Sequence, residues 1–95
     1  MIPDHLASTH RMLLAAYPKG LPDTDYFAVI SLLYPHMSDR CLAEVIAITF
    51  GREYIEVWND TGKVVTTNIP ATDTIEQVRL RLQHAGYDDW LREED

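Results

Sequence analysis

Cysteine, long apolar runs and basic side chains are all scarce in this chain of 95 residues. The single cysteine, Cys41, excludes an internal disulfide, so packing must hold the fold, as is typical of a reducing compartment. No apolar run approaches the ~20 residues that a membrane-spanning helix needs. The N-terminal segment Met-Ile-Pro-Asp-His also lacks the basic and then apolar pattern of a secretory signal peptide. The sequence therefore predicts a cytoplasmic protein with no membrane partner.

The shortage of basic residues argues against a nucleic-acid partner. Eight lysines and arginines face 15 aspartates and glutamates, which gives a formal net charge of -7. Such a chain repels phosphate backbones unless its few cations cluster on one face. We expect nucleic acid to be disfavoured as a partner and another protein to be the partner instead.

Motifs that carry chemistry are absent as well. The four glycines are scattered singly, so no phosphate-binding loop is present. The four histidines lack zinc-site spacing, which predicts no metal and no cofactor; they are His5, His10, His36 and His84. An enzyme would need an unrecognised site built from residues such as Cys41, His36 and Asp39. The chain is therefore predicted to be non-catalytic. Cys41 lies at a predicted helix start, so its thiol is either reactive or an ordinary half-buried side chain.

What the sequence does contain is a helical pattern. Apolar spacing and helix-stop residues predict a compact bundle of four helices over residues 4–17, 23–34, 38–50 and 72–85. Asp4, Ser38 and either Thr72 or Asp73 are the candidate caps of three of these helices. The pattern predicts one domain over residues 1–95, in which Tyr87 and Trp90 fold back onto the bundle and residues 92–95 form a frayed acidic end.

Between the third and fourth helices the pattern changes to that of strands. Residues 54–58 and 63–69 are rich in β-branched and aromatic side chains, and Asn-Asp-Thr-Gly lies between them. This favours a β-hairpin, with an irregular or helical segment as the alternative. Its inward candidates are Ile55, Val57, Val65 and Ile69, and Trp58 would lie nearer to solvent. The predicted fold is thus mainly α with an α+β, winged-helix-like order of elements.

One segment resembles a known family. A Tyr-Pro-x-Gly-x-Pro-x-x-Asp-x-Phe-Ala-Val turn and helix is matched here by Tyr17, Pro18, Gly20, Pro22, Asp25, Phe27, Ala28 and Val29, followed by Leu32 and Leu33. A Ser-led third helix at Ser38 and a Val-Arg-x-Arg-Leu pattern at Val78, Arg79, Arg81 and Leu82, with Gly86 soon after, extend the likeness. The chain thus resembles the actinobacterial family called domain of unknown function 3349. The resemblance implies a mainly helical bundle with no assigned activity, cofactor or catalytic residue.

Two functions from different classes fit these observations. The first is a protein-interaction module, either an adaptor or an inhibitor that mimics nucleic-acid charge, acting as a monomer or weak dimer. Aromatic anchors ringed by charge are typical of such surfaces, and the candidates are Glu56, Trp58, Asp60, Tyr87, Asp88, Asp89 and Trp90. The alternative is a winged-helix DNA-binding regulator that reads bases with the third helix and contacts phosphates with the hairpin.

Overall fold

The fold consists of six α-helices in the part of the chain that the computed structural model describes, residues 2–64, 66–67 and 69–93. A short 3-10 helix, Asp4–Leu6, leads into α1, and another, Tyr34–His36, follows α2. The α-helices are α1 Ala7–Ala16, α2 Asp23–Leu33, α3 Asp39–Phe50, α4 Tyr54–Lys63, α5 Thr72–His84 and α6 Tyr87–Glu93. None of the described residues lies in a β-strand, so the all-α arrangement replaces the predicted α+β one.

The helix ends follow local chemistry in part. The Ser38 hydroxyl accepts a hydrogen bond from the Cys41 amide at 3.2 Å, which confirms the predicted cap of α3. Gly51 ends the same helix with φ +67°, a left-handed conformation that glycine adopts at little cost. The capping role predicted for Asp4 is wrong, because Pro3 and not Asp4 precedes the first helical turn. The cap predicted at Thr72 or Asp73 is also wrong, because Ala71 occupies that position without a side-chain bond.

Helix α2 is buried over more of its length than α1, α3, α4 or α5. Its residues Val29, Ile30 and Leu33 are fully buried, as its all-round apolar character predicts. It packs mainly on α5 and also contacts α4, while α1 packs on α3, α5 and α6. The buried side chains of these helices form one continuous apolar cluster that includes Leu6, Leu13 and Leu82.

The predicted hairpin is wrong. Residues 54–63 form α4, and the Asn-Asp-Thr-Gly segment, interpreted above as a turn, lies inside that helix. The inward positions Val57, Asp60, Thr61 and Val64 recur at i, i+3, i+4 and i+7, which is a helical stripe in which two members are polar. Of the predicted inward residues, Val57 is buried, whereas Ile55 and Ile69 are exposed. Val65 and Asn68 of the predicted second strand lie outside the described residues.

Without a hairpin there is no wing, so the winged-helix arrangement falls with it. Helix α3, which was predicted to read DNA, instead packs against α4. Helix α4 occupies the part of the sequence that was predicted to form the wing.

The C-terminal segment folds back as predicted. Residues 87–93 form α6, which packs on α5 and α1. Arg92, the first residue of the predicted frayed end, belongs to this helix and pairs with Asp89. Glu94 and Asp95 lie outside the described residues.

Candidate functional site

A buried polar contact joins α2 to α4. The Tyr26 hydroxyl donates a hydrogen bond of 2.7 Å to the Asp60 carboxylate, and both side chains are buried. Burial raises the pKa of Tyr26 above its usual value, and the hydrogen bond to Asp60 and the charge of that carboxylate raise it further. Asp60, which the sequence placed at a partner surface, is only 8% exposed and therefore has a structural role in fixing α4.

Two cations complete this cluster. The Lys63 ammonium lies 3.3 Å from the second oxygen of Asp60. The Arg52 guanidinium lies 4.3 Å above the Tyr26 ring, bonds to the Leu21 carbonyl and pairs with Asp23 at 3.3 Å. The cations at the two ends of α4 are thus each paired with a carboxylate.

The outer side of α4 has a different character. Ile55 is 62% exposed and Trp58, one turn further along, is 48% exposed. Gly62 follows Trp58 by four residues and lies on the same side of the helix, so Ile55, Trp58 and Gly62 form a strip that we call the α4 face. Glu56 is exposed beside it. The predicted solvent-side position of Trp58 is confirmed.

The predicted C-terminal site residues divide by burial. Tyr87 and Trp90 are buried and stack on each other, with their ring centroids 5.9 Å apart. The indole N–H of Trp90 donates to the Thr9 hydroxyl at 2.7 Å, which fastens α6 to α1. Asp88 and Asp89 are exposed on the outside of α6.

A shallow groove of about 290 Å³ runs between α1 and α6. Arg11 and Asp89 are among its lining residues, together with Met12 and part of Trp90. Asp89 is already paired with Arg92, so one of the groove's two charged groups is engaged within the chain.

The structure therefore separates the predicted partner residues into two groups. Glu56 and Trp58 lie on α4, which packs on α3 and α2, whereas Asp88 and Asp89 lie on α6, which packs on α5 and α1. Their role in partner binding stays a prediction. The sequence reasoning missed Ile55 as a surface residue, and the available signal was its helical spacing from Trp58, which the strand interpretation concealed.

A family model described as "Protein of unknown function (DUF3349)" matches residues 4–91. The chain belongs to this family. No curated protein and no solved structure matches the chain. The DUF3349 assignment confirms the resemblance read from the segment around Tyr17, and it brings no functional residue with it.

The described residues of this DUF3349 chain contain no group of three or more histidines, cysteines, aspartates or glutamates placed to hold a metal ion. No helix among them is long and apolar enough to cross a bilayer.

Proposed function

We propose that this domain is a protein-interaction module that contacts another protein through the α4 face. The observation that carries the proposal is the exposure of two large apolar side chains, Ile55 and Trp58, one turn apart on the same helix. They are the only exposed large apolar pair with this spacing among the described residues. Tryptophan is enriched among residues that dominate binding energy, and a partner that covers this pair removes apolar surface from water.

The acidic balance of the chain supports a protein partner over a nucleic acid. With a net charge of -7, the domain repels phosphate backbones. An adaptor and an inhibitor both require such a surface, and we propose that the domain acts in the cytoplasm as a monomer or weak dimer. The α4 face takes precedence over the C-terminal residues because Tyr87 and Trp90 are engaged in holding α6.

Affinity capture with matched variants tests this proposal. The full chain serves as bait in a nuclease-treated native lysate, beside Trp58→Ala and the control Leu80→Ala. Leu80 is 57% exposed on α5, so the control removes a comparable apolar side chain from another surface. We expect a saturable partner that Trp58→Ala loses and Leu80→Ala retains. Asp60 is left unchanged, because its substitution would break the buried bond to Tyr26. Loss of the partner with both variants, or with neither, would overturn the proposal.

A further inference from the structure

We infer that the occupant of the α4 face is a cationic amphipathic helix of the partner protein, one that places lysines or arginines beside its apolar residues. This inference rests on the proposed function and specifies the chemistry of its partner. Two observations carry it, and both are independent of the exposure of Trp58. The first is the pairing of the charges around α4, and the second is the presence of Gly62 on the exposed side of the helix.

The cations near α4 form ion pairs, whereas two nearby carboxylates do not pair with any described residue. Both cations are paired, Arg52 with Asp23 and Lys63 with Asp60, each at 3.3 Å. Glu53 and Glu56 are exposed, and the carboxylate of neither forms an ion pair or hydrogen bond with a residue that the structure describes. The charge left available beside the α4 face is therefore negative, and complementary charge on a partner favours both encounter and register.

The shape of the α4 face favours a helix. Apart from its chain neighbours and its own helix backbone, a Cβ added at Gly62 would meet no described atom within 4 Å, so packing inside the molecule does not require glycine there. Glycine inside a helix is less favourable than alanine by roughly 0.5–1 kcal/mol, and its frequent use is the close approach of another group. Next to the ridge formed by Ile55 and Trp58, Gly62 leaves a depression into which side chains of a second helix pack.

A second copy of this chain fits the same face poorly. A symmetric contact through this face would bring two surfaces of the same negative character together, because each copy carries Glu53 and Glu56 beside the face while its nearby cations Arg52 and Lys63 are already paired within the chain. Like charges brought together at an interface are unfavourable. The partner that satisfies both the apolar strip and its acidic flank must bring its own cations.

A peptide selection tests this inference without assuming a sequence. A displayed library of helical peptides, with apolar positions fixed and each polar position drawn equally from lysine, arginine, glutamate and aspartate, is selected on the full chain. Clones that also bind Trp58→Ala are removed. We expect the remaining clones to carry at least about five times as many basic as acidic residues. Neutral or acidic winners, or no clone that depends on Trp58, would overturn the inference.

Titration of the best synthetic peptide then separates local charge from net charge. We expect Glu53→Gln with Glu56→Gln to raise the dissociation constant about tenfold, and Gly62→Leu to raise it about as much by filling the depression. The control Asp4→Asn with Asp73→Asn removes the same charge from the first 3-10 helix and α5 and should change it less than about twofold. Equal effects of the two double variants would overturn the inference.

The outcomes of the two experiments are distinguishable. If the lysate partner is lost with Trp58→Ala while no basic peptide is selected, the α4 face is an interaction surface and only the inferred partner chemistry fails. If the selected peptide binds as inferred but the lysate partner ignores Trp58, the proposed function fails. Self-association of the free chain that Trp58→Ala abolishes would assign the face to a second copy and overturn the inference.

Discussion

At the residue scale, the position of α4 depends on one buried hydroxyl. Tyr26 gives Asp60 its hydrogen bond inside the protein, and Lys63 pairs with the other carboxylate oxygen nearer to solvent. A buried carboxylate is tolerated only when such partners are present, because the ion loses its water on burial. The pair therefore explains how a helix with a polar inward side packs on an apolar bundle.

Removal of that hydroxyl tests the explanation. Tyr26→Phe keeps the ring under Arg52 but leaves one oxygen of Asp60 without its donor, and we expect the free energy of unfolding to fall by about 1–3 kcal/mol. Tyr34→Phe is the control, since Tyr34 is only half-buried and its hydroxyl forms no hydrogen bond with a described residue. Its effect should stay within about 0.5 kcal/mol. Urea denaturation measures both, and equal losses would show that the Asp60 bond is not the cause.

At the element scale, one glycine at the end of α3 and another inside α4 have different backbone conformations. Gly51 has φ +67° at the end of α3, whereas Gly62 has helical geometry inside α4 with open space at its Cβ position. We expect Gly62→Ala to raise the free energy of unfolding by about 0.4–1 kcal/mol, because it restricts the unfolded chain without strain. Gly51→Ala should lower it by about 1 kcal/mol, because an L side chain is strained at this φ. Urea denaturation that gives both changes the same sign would contradict this assignment.

The same element shows where sequence reasoning succeeds and fails. Helix α3 was predictable because its apolar stripe, its Ser38 cap and its Gly51 end all indicate the same boundaries. Helix α4 was not, since local β propensity and a turn-like Asn-Asp-Thr-Gly segment outweighed a stripe whose members Asp60 and Thr61 are polar. Only the distant Tyr26 makes Asp60 an inward residue. The strand interpretation also affected the predicted site. It placed Trp58 near solvent correctly, but it assigned Ile55 to the inside and Asp60 to the surface, which are the wrong sides.

At the scale of the whole molecule, two tyrosine–aspartate bonds connect separate parts of the bundle. Tyr17, at the end of α1, donates to Asp25 on α2 at 3.0 Å, and Tyr26 of α2 donates to Asp60 on α4. An arginine lies over each ring, Arg81 over Tyr17 and Arg52 over Tyr26. Both bonds require a protonated phenol, so the packing of three helices depends on the same protonation state.

This dependence predicts a loss of stability at alkaline pH. Burial, followed by the hydrogen bond and the charge of the aspartate, raises the pKa of both tyrosines, while the arginines oppose the shift only in part. The unfolded chain has ordinary tyrosines with a pKa of about 10, so above that pH the folded state binds more protons than the unfolded state. The stabilisation is complete below pH 10 and declines as pH rises towards the folded pKa, by roughly 1.4 kcal/mol per pH unit for each tyrosine.

Urea denaturation between about pH 8 and about pH 11 measures this slope. We expect the Tyr17→Phe and Tyr26→Phe double variant to be less stable than the wild type at neutral pH and to lose less stability above pH 10, because neither phenylalanine titrates. The Tyr34→Phe and Tyr54→Phe double variant is the control for removal of two phenols, since it leaves both buried tyrosine–aspartate bonds intact. If this control flattens the alkaline slope as much as the buried pair does, the slope comes from general charge repulsion and not from the two bonds.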